Sequence, residues 1–174
     1  MQFEELETKH LKLINISNTD NDLIYKEFSN DFINKYLFDA EPVKNRNEAQ
    51  EIIDFYTVPE PRNQHRWILV LKNQNIKIGT CGFHCIDFKH KYTEIGYDLL
   101  EEYNKNGYMY EALNTIIDYV ISKFDIKIIE AHVYTENISS IKLLEKLSFT
   151  NEDEMYLEFM GKEYKHYVFR RKIV

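Results

Sequence analysis

The chain has 174 residues and a mass of 21.0 kDa, enough for one domain with a full core and short for two. A net charge of −7 without any basic run argues against nucleic-acid binding; an acidic surface serves solubility and favours cationic partners such as amines or basic peptides. No apolar run reaches membrane-spanning length, and the acidic start from Met1 to Glu5 lacks a signal-peptide core, so the cytoplasm is the expected compartment.

Residues 8–16 alternate, with Leu11 and Leu13 on one face, and read as a first strand. Asp20 is the N-cap candidate for a helix over about 21–37, its rhythm set by Leu23, Ile24, Glu27 and Phe28. Residues 39–44, containing Pro42, break that helix. Asn45 and Glu48 have capping-box spacing for a second helix with the stripe Ala49, Ile52, Ile53 and Tyr56, which Pro59 and Pro61 end. Residues 66–71 and 77–87 flank Asn73-Gln74-Asn75 as a hairpin, Trp67 being core and Gly79 and Gly82 marking a bulge. Cys81 and Cys85, an even number of residues apart, are expected as buried thiols on one strand face, where they suit neither a disulfide nor a zinc site. The histidines form no metal-ligand pattern, and His84 and His132 read as packed or surface strand residues.

Residues 94–100 alternate Ile95, Tyr97 and Leu99 with Gly96 and Asp98, a strand. Asn104 to Gly107 is turn chemistry, and after it Ala112, Leu113, Ile116, Ile117, Val120, Ile121 and Phe124 recur at helical spacing. A glycine turn entering a helix leaves unpaired N–H groups at the positive end of the helix dipole; it suits a phosphate, and it also serves as a plain turn. Residues 128–134 are a strand with Ile129, Ala131 and Val133 on one face, and residues 136–149 a capped helix with Ile141, Leu144 and Leu147 inward. Two last strands, 155–160 and 162–170, join around Gly161-Lys162, where a first-position glycine predicts a type II′ turn.

Glu94-Ile95-Gly96-Tyr97, followed by Gly107-Tyr108 and Glu111-Ala112, resembles the acetyl-CoA motif region of the GCN5-related N-acetyltransferases (GNAT), in the form carried by the RimJ/RimL-like branch of ribosomal-protein N-terminal acetyltransferases. The family pattern Gln/Arg-x-x-Gly-x-Gly/Ala falls on Asn104-Lys105-Asn106-Gly107-Tyr108-Met109: the middle glycine is kept, Asn104 stands for Gln/Arg and Met109 for the small last residue. Residues 136–149 resemble the second cofactor motif, Glu-Asn-x-x-Ser-x-x-Leu-Leu-Glu-Lys-Leu-Gly-Phe, with Ser148 in place of the helix-ending glycine. The resemblance covers residues 8–170. It implies an α+β GNAT fold in a single domain, 1–174: a mixed, mostly antiparallel twisted sheet of about seven strands, helices on both faces, and a splay between strands 4 and 5. The two early helices would lie over the acceptor pocket.

Amine acetylation needs a deprotonated amine, alignment for direct attack, a donor to the developing oxyanion and a proton for the leaving thiolate. The resemblance puts the pantetheine and acetyl group at Leu99 and Leu100. It puts the pyrophosphate on the backbone N–H groups of Lys105, Asn106, Gly107, Tyr108, Met109 and Tyr110, and Asn137 on the pantetheine arm. Lys142 and Lys146 are candidates for the 3′-phosphate. The general-acid tyrosine of many relatives falls at Leu144, which excludes that acid. The RimL-type alternative falls on Ser140, near the leaving sulfur, and on Glu158 as base, with Glu94 a second base candidate. Ser140 bonding the first helical turn and Glu158 as a solvated strand residue are the plain alternatives. The implied cosubstrate is acetyl-CoA, with no metal. The implied acceptor is a peptide N-terminus or a small amine such as a polyamine or aminoglycoside, with no nucleic-acid or membrane partner, in a monomer or homodimer. A non-catalytic acyl-CoA-binding module and a purely structural domain are the alternatives from other classes.

Overall fold

A computed structural model describes residues 3–38 and 40–173. Along the chain lie β1 (Leu6–Glu7), β2 (Leu11–Asn15), α1 (Asn21–Phe28), α2 (Asp31–Asn34), α3 (Arg46–Thr57), β3 (His65–Leu71), β4 (Ile76–Asp87), β5 (Tyr92–Leu99), α4 (Tyr108–Phe124), β6 (Ile128–Tyr134), α5 (Ile138–Lys146), β7 (Thr150–Phe159) and β8 (Lys162–Lys172). The strands form one eight-stranded sheet in the order β1-β2-β3-β4-β5-β6-β8-β7. Every neighbouring pair is antiparallel except β5 with β6. The strand beyond the expected seven is the two-residue β1, too short to carry a period in the sequence.

The sheet is covered on both faces. Alternation along β3 divides its continuous apolar run: Trp67, Leu69 and Leu71 enter the core under α4, while Ile68 and Val70 enter the one under α1 and α3. Ala112, Leu113, Ile116, Ile117 and Val120 form the buried stripe of α4, as their spacing predicts. Asn45 caps α3 through Asn47 N (2.9 Å) and Glu48 N (3.2 Å).

Several local expectations are corrected. The first helix is two pieces: Ser29 closes α1 with its N–H on Tyr25 O (3.0 Å), and Asn30 starts α2 by accepting from Phe32 N (2.8 Å). Asp20 does not cap α1 through its side chain; its carboxylate accepts from Ser17 N (2.7 Å) and Lys77 Nζ (2.6 Å), closing the short 3-10 turn Asn18–Asp20. Cys81 is buried but Cys85 is exposed, because a register shift between His84 and Asp87 puts Cys85 at φ +52° and breaks the alternation. The β7–β8 turn has Met160 at φ +50° and Gly161 at +74°, both left-handed, which is type I′ rather than II′. The bulge expected near Gly79 is present, with Leu69 opposite Gly79 and Val70 opposite Lys77. Asp39, at the start of the expected helix break, and Met1 and Gln2, at the acidic N-terminus, lie outside the described residues.

One feature of the sheet positions the site. Strands β5 and β6 pair only at Tyr92–Ile128, Thr93–Ile129 and Glu94–Glu130. Beyond that, β5 stays bonded to β4 as far as Leu99–Gly79, and β6 to β8 as far as Tyr134–His166. The two strands therefore diverge after Glu94 and Glu130 and leave a gap in the sheet.

Candidate active site

The gap opens into a cavity of about 1570 Å³. Its lining carries Lys105, Lys142 and Lys146 at the α4–α5 end, and Glu41, Glu48, Glu51, Glu94 and Asp98, together with Lys44 and Arg66, on the side covered by α1–α3.

At the cationic end, Gly107 takes φ +82° and Lys105 +63° just before α4. No side chain caps this helix, and its first i→i−4 bond runs from Glu111 N to Gly107 O (3.0 Å). The N–H groups of Tyr108, Met109 and Tyr110 therefore precede the first helical bond and sit at the positive end of the dipole. Asn104 adds a buried Nδ2 without a hydrogen-bond partner, on a residue that lines the cavity. A buried amide donor left unmade costs free energy, which an anion's oxygen would recover. Lys146 Nζ sits 4.1 Å from the centre of the Tyr110 ring. Asn106 is exposed and braces the loop through Tyr103 O and Asn104 O, both 3.1 Å. Donors of this kind and number suit a diphosphate.

On the gap wall, Tyr97 of β5 and Ser140 of α5 bring their hydroxyl oxygens to 2.6 Å. Asn137 caps α5 by accepting from Ser140 N (3.2 Å), which occupies its carbonyl oxygen. Leu99 and Asn137 line the cavity, whereas Leu100 packs into the core under α1–α3 and Leu144 is fully buried under α5.

At the start of the gap a polar network joins four strands. Glu94 Oε2 lies 3.3 Å from His84 Nε2, its neighbour across the β4–β5 ladder. The Tyr92 hydroxyl is 3.1 Å from both Glu94 Oε1 and Glu130 Oε1, so one phenolic hydrogen serves two carboxylates. Glu130 also accepts from Arg170 Nε (2.6 Å) and meets His132 Nε2 (2.7 Å). The hydrogen bond from His84 holds the Glu94 carboxyl well below the usual range, at about 2, against a smaller opposing effect of burial. His84, Glu94 and His132 all line the cavity. Deeper on the same face, buried Arg66 donates to Asp98 Oδ2 (2.5 Å), Thr80 Oγ1 (2.8 Å) and the Tyr56 hydroxyl (3.1 Å).

Glu158 is elsewhere. Alternation along β7 turns Leu157 into the cavity and leaves Glu158 exposed, paired across the hairpin with Glu163. Among the described residues there is no cluster of His, Cys, Asp and Glu that could hold a metal ion, and no helix long and apolar enough to cross a membrane.

Residues 10–150 match the acetyltransferase (GNAT) domain family. The chain belongs to the GNAT acetyltransferases. It is 32% identical over 151 residues to the uncharacterized N-acetyltransferase YoaA of Bacillus subtilis (strain 168), covering 86% of this chain and 85% of that protein. Among solved structures it resembles RimL, a ribosomal L7/L12 alpha-N-protein acetyltransferase in complex with coenzyme A, with TM-score 0.88, 18% identity and 98% of each chain covered. It also resembles a spermidine N-acetyltransferase from Vibrio cholerae in complex with CoA and spermine, with TM-score 0.83, 22% identity and 94% and 95% of the two chains covered. The GNAT fold expected from the sequence is thus present, splay included, and the enzyme is an N-acetyltransferase.

Three cavity residues of this GNAT enzyme carry no chemical role that the sequence alone assigns: Tyr97, His84 and His132. Tyr97 shares its strand face with Ile95 and Leu99, so its pattern is that of packing, and its hydroxyl contact lies 43 positions away. His84 acquires meaning only through its register opposite Glu94, and His132 through the Glu130 carboxylate two residues before it. That last spacing, a histidine and a glutamate on one strand face, was available as a signal.

Proposed function

We propose that this protein is an acetyl-CoA-dependent N-acetyltransferase of the RimJ/RimL-like type, a single domain over residues 1–174, whose acceptor is a protein or peptide N-terminus. The observation that carries the reading is the gap after Glu94 and Glu130, with uncapped helix N–H groups and the Asn104 amide at one end and the ionised Glu94 at the other. Acetyl-CoA supplies the acetyl group as a thioester and departs as a free thiol. The N–H groups from Lys105 to Tyr110 and Asn104 hold its pyrophosphate, with Lys142 and Lys146 beside them. Leu99 and Asn137 flank the pantetheine channel. Ser140, backed by the Tyr97 hydroxyl, is the proton donor near the sulfur. The carboxylate serving the amine is Glu94, which lines the cavity, in place of the exposed Glu158.

A wide cavity whose lining includes the exposed Phe32 and Phe55 supports a peptide acceptor. A second reading, a polyamine acceptor, is favoured by the carboxylates of Glu48 and Glu51 on the same side, beside the Glu41–Lys44 ion pair (2.6 Å). Thiol release from acetyl-CoA decides between them, using Ser-, Ala- and Thr-starting peptides, spermidine, spermine and aminoglycosides as acceptors. Release with the peptides alone supports the first reading, and release with the polyamines alone replaces it by the second. Silence with every amine, while acetyl-CoA still raises the melting temperature, favours a non-catalytic acyl-CoA-binding module.

A further inference from the structure

We propose that His84 is the proton acceptor for the incoming amine and that Glu94 is its positioning residue, an assignment that rests on the N-acetyltransferase reading above. A primary amine is mostly protonated at neutral pH and must lose a proton before it can attack. A carboxylate held at about 2 is ionised but a weak base, poorly matched to that task. It attracts the ammonium and orients an imidazole well. Imidazole is the side-chain group that exchanges protons near neutral pH.

Three features of the geometry select His84. Its ring lies over Gly96: a Cβ there would come within 3.2 Å of Cε1 and 3.7 Å of Nδ1. Gly96 belongs to the stretch of β5 that has left β6, so the ring stands beside the opening gap. Glu94 Oε2 faces Nε2 at 3.3 Å, a placement that favours the imidazole hydrogen on Nε2 and the lone pair on Nδ1. The His84 side chain is 33% exposed, within reach of both a substrate and water. The competing histidine, His132, shares its carboxylate Glu130 with the Arg170 guanidinium, so that carboxylate is already paired with a cation.

The titratable and charged groups around the ring are Glu94 and Tyr92 on β5, Glu130 and His132 on β6, Arg170 on β8 and the neighbouring Cys85 thiol, whose pKa burial and Glu94 push up. In the proposed step an N–H bond of the ammonium breaks and its proton bonds to Nδ1, giving an imidazolium whose Nε2–H remains on Glu94. The freed lone pair forms the C–N bond as the thioester C–S bond breaks and its electron pair leaves on sulfur. His84 then passes its proton to water, and the second N–H proton, lost as the amide forms, balances the one taken up by the departing thiolate.

The test measures acetylated amine by mass and acetyl-CoA binding by thermal shift, for wild type, His84→Gln, His84→Ala, His132→Gln and Glu94→Gln. His84→Gln is expected to lower kcat on the order of 100-fold while keeping the thermal shift. It should also lose the acid limb of the kcat/KM profile, which Glu94→Gln should displace without abolishing. Free imidazole should stimulate His84→Ala at least about tenfold, a result that a merely structural histidine would not give. His132→Gln should retain the acid limb of the kcat/KM profile that His84→Gln loses. Wild-type activity together with His84→Gln within about threefold of it from pH 6 to 9 overturns the assignment. So does a deep loss that imidazole leaves untouched with an unchanged pH profile. Wild-type silence toward every amine is a different result: it overturns the N-acetyltransferase reading itself, and the assignment with it.

Discussion

The hydroxyl of Tyr97, on β5, lies 2.6 Å from that of Ser140, in the first turn of α5, at the wall of the gap where β5 and β6 part. Burial pushes the phenol's pKa up, so Tyr97 stays protonated and backs Ser140 as a donor. Leu144 is buried, and the Tyr97–Ser140 pair lines the cavity. Ser140→Ala and Tyr97→Phe should each lower kcat on the order of tenfold, because a thiolate is a modest leaving group to protonate. The double variant should lose little more than either alone, since the hydroxyls act as one unit. Additive losses in steady-state kinetics would separate them.

Gly107 and Gly161 both have positive φ, +82° and +74°, and neither has an atom within 4 Å of where a Cβ would stand. Alanine at either position should therefore cost backbone strain alone, about 1–2 kcal/mol. Only Gly107→Ala disturbs the amide groups ahead of α4, so only it should also weaken acetyl-CoA binding. Calorimetric titration of both variants, with thermal unfolding alongside, tests the distinction; equal affinities would remove Gly107 from the cofactor loop.

Arg66 is buried against Asp98, Thr80 and Tyr56, and its guanidinium lies over the Phe28 and Tyr56 rings at 5.2 and 5.4 Å. Glu27, fully buried, accepts from Thr80 Oγ1 through one oxygen (3.1 Å), and its other oxygen has no hydrogen-bond partner. Burial, reinforced by the like charge of Asp98, raises the Glu27 carboxyl well above its usual range, which favours its neutral form. Arg66→Met should cost about 3–5 kcal/mol by removing the cation buried against Asp98. Glu27→Gln, replacing a group whose neutral form is favoured, should cost under about 1 kcal/mol at pH 7. Denaturant unfolding measures both, and reversed magnitudes would contradict the protonation states.

His65 is sandwiched by chemistry that needs it neutral. Asn15 Oδ1 accepts from Nε2 (2.9 Å), Arg62 donates to Nδ1 (2.8 Å), and the ring stacks on Phe3 at 4.3 Å. Burial, with the Arg62 charge, lowers its pKa to about 3. The unfolded chain therefore binds more protons than the native state between about pH 6.5 and 3. The stability is fully present above the unfolded value and lost as pH falls toward the folded one. Melting temperature should fall across that window, and His65→Gln should flatten the dependence.

The order of the elements was legible in the sequence because apolar periodicity records which face of each helix or strand is buried. The α4 stripe from Ala112 to Val120 and the β6 face of Ile129, Ala131 and Val133 are plain cases. Asn45 and Gly107 were readable too, since a cap and a left-handed turn are local demands on single residues. Cys85 and Glu158 were not: a bulge turned the thiol outward, and only the built cavity distinguishes the inward Leu157 from its neighbour Glu158. The partnership of Tyr97 with Ser140 and of His84 with Glu94 belongs entirely to the tertiary structure. Such contacts depend on strand register and on where two strands part, and neither quantity is carried by the spacing of residues along one segment.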